Sequence, residues 1–289
     1  MSYIVSPAVC TGSKQMDSGY SSSAGISGAT RSELAAVTGR GHRLIGVADA
    51  VNALGIDAQA AAMKLARWAD QGWLRRVRRG MYIPVPVDAE NPKAWTEDAL
   101  IIATAIWSPC YFTGWTAANH WGLSEQVFRT VVLKTTARVR ASRAEMLDHE
   151  YLVAHTDKRH LSWGMESAWQ DGVRLNYADP TRTVVEILDA PRLAGGIRHA
   201  AEILGAYLGD HDPDRLIDYG DRLGNRTVFK RLGYLTEAIG AEQPSLIEAC
   251  RHRLSAGVSL LDPDGPRGGL RVPEWNLRAN VHVSETNPS

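Results

Sequence analysis

Four arginines, Arg75, Arg76, Arg78 and Arg79, crowd into five consecutive positions of the stretch WADQGWLRRVRRGMYIPV (68–85). Cations at this density suit phosphate, because each one laid against a nucleic-acid backbone releases counterions and adds affinity without reading sequence. Upstream, Gln59 stands in the first turn of a predicted helix, with Lys64 and Arg67 on the same exposed side. A glutamine amide pairs bidentately with adenine in the major groove, so Gln59 is the expected base reader, with Lys64 further along and Arg67 toward the flank. The four arginines are then expected at the backbone or minor groove. Four to six such cations on phosphates would give a log–log salt slope of roughly −4 to −5 per protomer. Charges on an exposed ribbon also discourage edge-to-edge pairing, but a mixture of signs would serve that end equally well.

Other chemistries find less support. Asp179, Glu186 and Asp189 could hold Mg²⁺ for phosphodiester cleavage, and Glu186 and Asp189 would share one side of a helix beginning after Pro180. No neighbouring strand lysine accompanies them, and helix-capping or solvated-face roles account for them simply, so no catalytic residue is expected. His149, His155 and His160 match neither HExxH nor an i, i+4 pair, and no metal is expected. Cys10, Cys110 and Cys250 lack CxxC spacing and are read as apolar filler. Phosphate-loop, dinucleotide-loop and GxSxG stretches are absent, so no cofactor is expected either. GGIRHA (195–200) opens a helix with glycines, which punctuation explains more simply than an anion.

The elements that would position the basic cluster read in order. SELAAVTGR is a short helix capped by Ser32, RLIGV (43–47) a brief extended run, and VADAVNAL (47–54) a helix stopped at Gly55. Asp57 caps a third helix running to about Gln71, with Ala61, Leu65 and Trp68 on its buried face. WLRRV and MYIPV then form a hairpin through Arg78, Arg79 and Gly80. This is the order of a winged helix-turn-helix, whose third helix enters the major groove while the wing reaches the adjacent backbone.

Pro84 and Pro86 end the ribbon, and VDAENPKAW reads as a linker. WTEDALIIATAIW suits a helix capped at Thr96, whereas RTVVLKTTARVR (129–140), EYLVAHT and GVRLNYA read as strands. Beyond residue 181 amphipathic helices dominate. The expected fold class is α+β: an N-terminal winged helix-turn-helix followed by a larger mixed α+β domain with a helical C-terminal half. The expected division is a flexible Ser/Gly-rich lead-in at 1–30, the winged helix at 31–88 and a C-terminal domain at 89–289.

Basic and acidic residues balance at 32 each among 289, so attraction to DNA must come from local clustering. The start lacks a signal-peptide pattern and no apolar run approaches the ~18 residues a spanning helix needs, which predicts a cytoplasmic protein.

Five segments carry a further signal: LARWADQGWLRRVRRGMYIPV, YFTGWTAANHWGLSEQ (111–126), DPTRTVVEILDAPRLAGGIRHA (179–200), KRLGYLTEAIG (230–240) and LDPDGPRGGLRVPEWNLRAN (261–280). In this order and rough spacing the chain resembles the AbiEi-type antitoxins of bacterial abortive-infection systems, the antitoxin half of type IV toxin–antitoxin pairs, and among them a mycobacterial member. The resemblance runs from about residue 31 to 282. It implies a winged helix that represses its own operon at inverted repeats, with two protomers matched to the operator, and a C-terminal domain that counteracts a nucleotidyltransferase toxin without a stable complex being required. Most of these signature residues read as packing: Trp115 and Trp121 in the core, Gly195 and Gly196 at a turn, Trp275 and Leu277 closing the domain. Arg182, Lys230 and Arg231 are taken as exposed, possible toxin-neutralising or additional DNA contacts, with Arg182–Glu186 a surface pair worth a few tenths of a kcal/mol. A stand-alone regulator with an effector-binding C-terminal domain is the alternative.

Overall fold

The computed structural model describes residues 27–39, 44–86, 89, 91, 96–126 and 128–283. Its first part consists of helices α1 (Gly28–Thr38), α2 (Val47–Leu54) and α3 (Ala58–Asp70) with strands β1 (Ile45–Gly46), β2 (Leu74–Arg78) and β3 (Met81–Pro84), the sheet running β1-β3-β2. Short polar side chains set the helix starts. Asp57 Oδ1 accepts from the Ala60 amide at 2.8 Å, and Asp49 Oδ2 accepts from the Gly46 amide at 2.7 Å. Val37, Ile45, Leu65, Trp68, Leu74 and Tyr82 fill the small core between helices and sheet. This is a winged helix-turn-helix arrangement, with Gly80 at φ +76° turning the wing.

Helix α1 begins before the expected Ser32. Ser27 caps it by accepting from the Thr30 amide at 3.3 Å, so the helix enters the segment that composition assigns to the lead-in. The rest of that lead-in, Cys10 and most of VDAENPKAW lie outside the described residues.

The larger part contains α4 (Ala99–Trp107), β4 (Cys110–Phe112), α5 (Gly114–His120), β5 (Thr130–Thr135), β6 (Arg143–Met146), β7 (His149–His155), β8 (Met165–Gln170) and β9 (Val173–Ala178). Helices α6 (Pro180–Asp189), α7 (Ile197–Asp210), α8 (Asp214–Leu223), α9 (Thr227–Ala238) and α10 (Pro244–Arg251) follow, then the small sheet of β10 (Ser259–Leu260), β11 (Leu270–Val272) and β12 (Leu277–Ala279). Asp98, not Thr96, caps α4, accepting from the Leu100 amide at 2.8 Å. Of RTVVLKTTARVR only Thr130–Thr135 is strand.

Strands β4–β9 form one mixed sheet in the order β6-β7-β5-β4-β9-β8. It is buried on both faces around β5, which explains why VVL reads as a continuous apolar run. Val131 and Leu133 join one apolar layer with Ile102 of α4, while Val132 joins the other, against α6, α7 and α9. Alternation therefore puts Lys134 on the helical side as well. The first layer also takes in Val77 and Ile83, so the back of the wing is packed onto the body. No helix among the described residues is long and apolar enough to cross a membrane.

The closing segment locks through Trp275, which is 1% exposed and donates from Nε1 to Glu237 Oε2 at 2.6 Å. Its ring lies on Gly233, where an added Cβ would come within 2.0 Å of it. Gly233→Ala is expected to cost about 2–4 kcal/mol through overpacking, read as a lowered urea midpoint at unchanged m-value.

Candidate nucleic-acid interface and a buried polar network

On α3, Ala61, Leu65 and Trp68 are buried as expected, and the outward stripe is Gln59, Met63 and Arg67 at four-residue spacing. Met63 is 67% exposed, unusual for a large apolar side chain. Sequence type alone does not mark it, since it carries neither charge nor strong hydrogen-bonding group; its place between Gln59 and Arg67 does. A thioether at this position suits contact with a thymine methyl.

Lys64 is drawn away from that stripe. Its Nζ pairs with Glu33 Oε1 of α1 at 2.6 Å and lies 5.8 Å from the Trp68 ring centroid, so it braces α3 against α1.

The wing divides its arginines between two faces. In β2, Arg75 and Val77 face the body together with Ile83 of β3, and Arg75 Nη2 pairs with Asp148 Oδ2 in the β6–β7 turn at 3.0 Å. Arg75 thus links the two parts of the chain, a placement that the reading of the four arginines as one group does not include. Arg76 packs on the other face, donating to the Tyr82 hydroxyl at 3.1 Å with its guanidinium 5.5 Å from that ring. The ladder pairs Arg76 with Tyr82 and Arg78 with Met81, leaving Val77 as the extra residue of a bulge. Val77 turns inward, while Arg76, Arg78 and Arg79 are exposed.

The second charged constellation lies within the body, on the opposite side of the large sheet from the wing. Arg182 is 0% exposed, Lys230 1% and Arg231 4%, so their expected exposure is overturned. Asp179 starts α6 by accepting from the Arg182 amide at 2.7 Å, and the first turn then points Arg182 inward. Its guanidinium lies 4.4 Å from both the Tyr111 and Trp163 ring centroids. It donates to Glu186 Oε1 at 3.0 Å, to the Tyr111 hydroxyl at 2.6 Å and to the Trp163 carbonyl. The expected surface pair is a buried one.

Glu186 in turn accepts from the Tyr111 and Thr113 hydroxyls at 2.7 and 2.5 Å and lies 3.3 Å from Lys134 Nζ. Burial alone would raise its pKa, but Lys134, Arg182 and the two hydroxyls hold it down to about 2. Lys134 is a strand lysine beside the acid, contributed from far upstream in sequence. Glu186 is nevertheless committed to these partners, Asp179 also accepts from Tyr219, and Asp189 accepts from Asn225 Nδ2 at 2.6 Å. No group of three or more His, Cys, Asp or Glu among the described residues could hold a metal ion.

Arg231 binds four carbonyls, those of Leu188, Asp189, Leu260 and Leu261, at 2.7–3.1 Å. Two of these belong to the C-terminal turn of α6, where a cation satisfies otherwise unpaired carbonyls. Lys230 reaches the Gly257 carbonyl. Asp262 occupies the start of α7, accepting from the Ile197 amide at 3.0 Å, so the anion at GGIRHA is the protein's own. The C-terminal signature segments therefore meet in one buried framework.

Residues 32–85 match a family model described as transcriptional regulator, AbiEi antitoxin. The fold is similar to the crystal structure of the RV2827C protein from Mycobacterium tuberculosis, with a TM-score of 0.59 at 15% identity, covering 86% of this chain and 90% of that one. The similarity extends over both parts of the chain. No curated protein sequence matches it.

Proposed function

We propose that this chain, whose residues 32–85 match a family model described as transcriptional regulator, AbiEi antitoxin, is a DNA-binding antitoxin that represses its own operon at inverted repeats, two protomers per operator, and counteracts a nucleotidyltransferase toxin through its C-terminal domain. The observation that carries the reading is a wing whose exposed charges are of one sign, following a helix that presents Gln59, Met63 and Arg67 outward. Gln59 and Met63 read base edges, and Arg67, Arg76, Arg78 and Arg79 take phosphates. Lys64 and Arg75 position the module. Since Arg182, Lys230 and Arg231 are buried, they act in neutralisation by holding the domain together, and direct toxin contact would fall to exposed residues.

Four phosphate contacts predict a log–log salt slope of about −3.6 per protomer on a duplex from the chain's own upstream region. A slope near zero would sink the DNA reading. Neutralisation is tested separately, by inducing the adjacent downstream gene in a heterologous host from a promoter this protein cannot control and counting colonies with and without the full chain. Rescue supports the antitoxin; toxicity without rescue favours a stand-alone regulator with an effector-binding C-terminal domain.

A further inference from the structure

Between α5, the first turn of α4, the start of β5 and the β8–β9 hairpin lies a cavity of about 310 Å³. Two ring stacks border it. His120 lies flat on Tyr177, with centroids 3.8 Å apart and planes 4° from parallel, and Phe128 lies on Trp115 at 4.6 Å and 17°. Asn119 and Gln170 add side-chain amides. No wall residue belongs to the outward stripe of α3, to the wing or to the Arg182 network.

Tyr177 is 3% exposed, and its hydroxyl has no hydrogen-bond partner among the described residues. Nor is that hydroxyl sealed away, since the fully buried unpaired side-chain atoms are Thr104 Oγ1 and His160 Nδ1. The phenol therefore opens on the cavity that it lines. Burial first, and then Asp98, push its pKa up to about 12, so it stays protonated and offers a donor. Tyrosine hydroxyls buried this deeply usually find an acceptor, and here the acceptor must come from within the cavity. Water would serve the hydroxyl alone; the rings and amides around it select something larger and flat.

No Lys, Arg, Asp or Glu stands among the described walls. Burial lowers the pKa of His120 against the pull of Glu166, which leaves the ring uncharged at neutral pH. A phosphate, carboxylate or ammonium group would find no counterion there. A hydrocarbon would leave the Tyr177 hydroxyl and the amides without partners. Ring faces beside amides, each amide both donor and acceptor, suit a planar uncharged heterocycle that carries both kinds of group on its edge. We propose that this cavity binds a nucleoside, its base set among the His120, Tyr177 and Phe128 rings, accepting from Tyr177 Oη and paired along its edge with Asn119 and Gln170.

The volume takes a base and its sugar, and walls without lysine or arginine give a 5′-phosphate nothing to gain. The inference needs neither the DNA reading nor the neutralisation reading, and its site is contributed by the body of the chain alone.

The test uses the full chain with ¹⁵N-labelled histidine, titrated in turn with adenosine, guanosine, cytidine and uridine, with affinities read by calorimetry. The expected result is a saturable shift of the His120 ring signals with at least one of them, and no tighter binding of its 5′-monophosphate. Tyr177→Phe keeps the ring and removes the donor, so it should weaken binding about tenfold at an unchanged unfolding midpoint, the lost hydroxyl having no partner in the protein. His120→Ala, at an exposed position, should fold and also bind more weakly. No saturable shift with any nucleoside, an equal shift with toluene, tighter binding of the monophosphate, or equal affinity in either variant would each overturn the proposal. A lowered midpoint in Tyr177→Phe would do so as well, by placing the hydroxyl among the bonds of the fold itself.

Discussion

Replacing Arg78 and Arg79 together by glutamate is expected to weaken operator binding about 10²–10³-fold near physiological salt and to bring the log–log salt slope from about −3.6 to about −1.8 per protomer. Both residues are exposed on the wing, one at the end of β2 and the other in its turn. Their loss removes two phosphate contacts, and the new carboxylates add repulsion. Stability should stay within about 0.5 kcal/mol, because neither side chain is part of a packed layer. Anisotropy of a labelled duplex across a salt series reads both quantities. Asp148→Ala, which breaks the exposed side of the Arg75 pair, is the internal contrast and should leave the slope unchanged. Colony rescue should survive the arginine reversal, since neutralisation is assigned to the body. A double variant that kept the original slope would return the wing to a merely solvated edge. Substitutions at Val77 or Ile83 would not separate the two proposed functions, because those side chains pack in the layer that joins wing to body.

That joining layer marks where the sequence stops being legible. Local rules found the winged helix because its signals are local: Asp57 caps, Gly55 stops, Gly80 turns, and Ala61, Leu65 and Trp68 fall at helical spacing. They could not divide the arginines. Arg75 and Arg76 are neighbours of identical type, and only the docking of the ribbon on a sheet formed much later in the chain sends one to Asp148 and leaves the other outward. Strands β6 and β8 escaped for a related reason. RAEM and MESAWQ are polar edge strands whose pairing is decided by the partner strand rather than by their own composition. The largest departure concerns Arg182, Lys230 and Arg231. Charge alone suggests a surface, and nothing adjacent in sequence announces that Tyr111, Thr113, Lys134 and Trp163 surround Arg182 and Glu186.

The burial of that network sets the other large expected effect. A surface pair between Arg182 and Glu186 would contribute a few tenths of a kcal/mol. With exposures of 0% and 1%, removing either partner leaves charge in a medium that solvates it poorly, and a loss of about 3–5 kcal/mol is expected for Arg182→Ala and for Glu186→Gln. The two variants fail differently. Arg182→Ala keeps Lys134 beside Glu186 but empties the space between Tyr111 and Trp163; Glu186→Gln leaves Lys134 and Arg182 facing each other without a counterion. Acid unfolding separates them from a general weakening. Glu186 titrates at about 2 in the fold against an ordinary 4.5, so its contribution, about 3 kcal/mol, is fully present above pH 4.5 and is lost as pH falls through 2. Glu186→Gln has no such group, and its stability should fall less steeply across that window. Identical acid limbs in the two proteins would mean that Glu186 is not held ionised by its neighbours. The same measurements decide how Arg182, Lys230 and Arg231 would serve the proposed neutralisation. If they are framework, every substitution there that loses colony rescue must also lose stability; a variant with unchanged unfolding midpoint and no rescue would instead make that side chain a contact, reached through an opening of the domain.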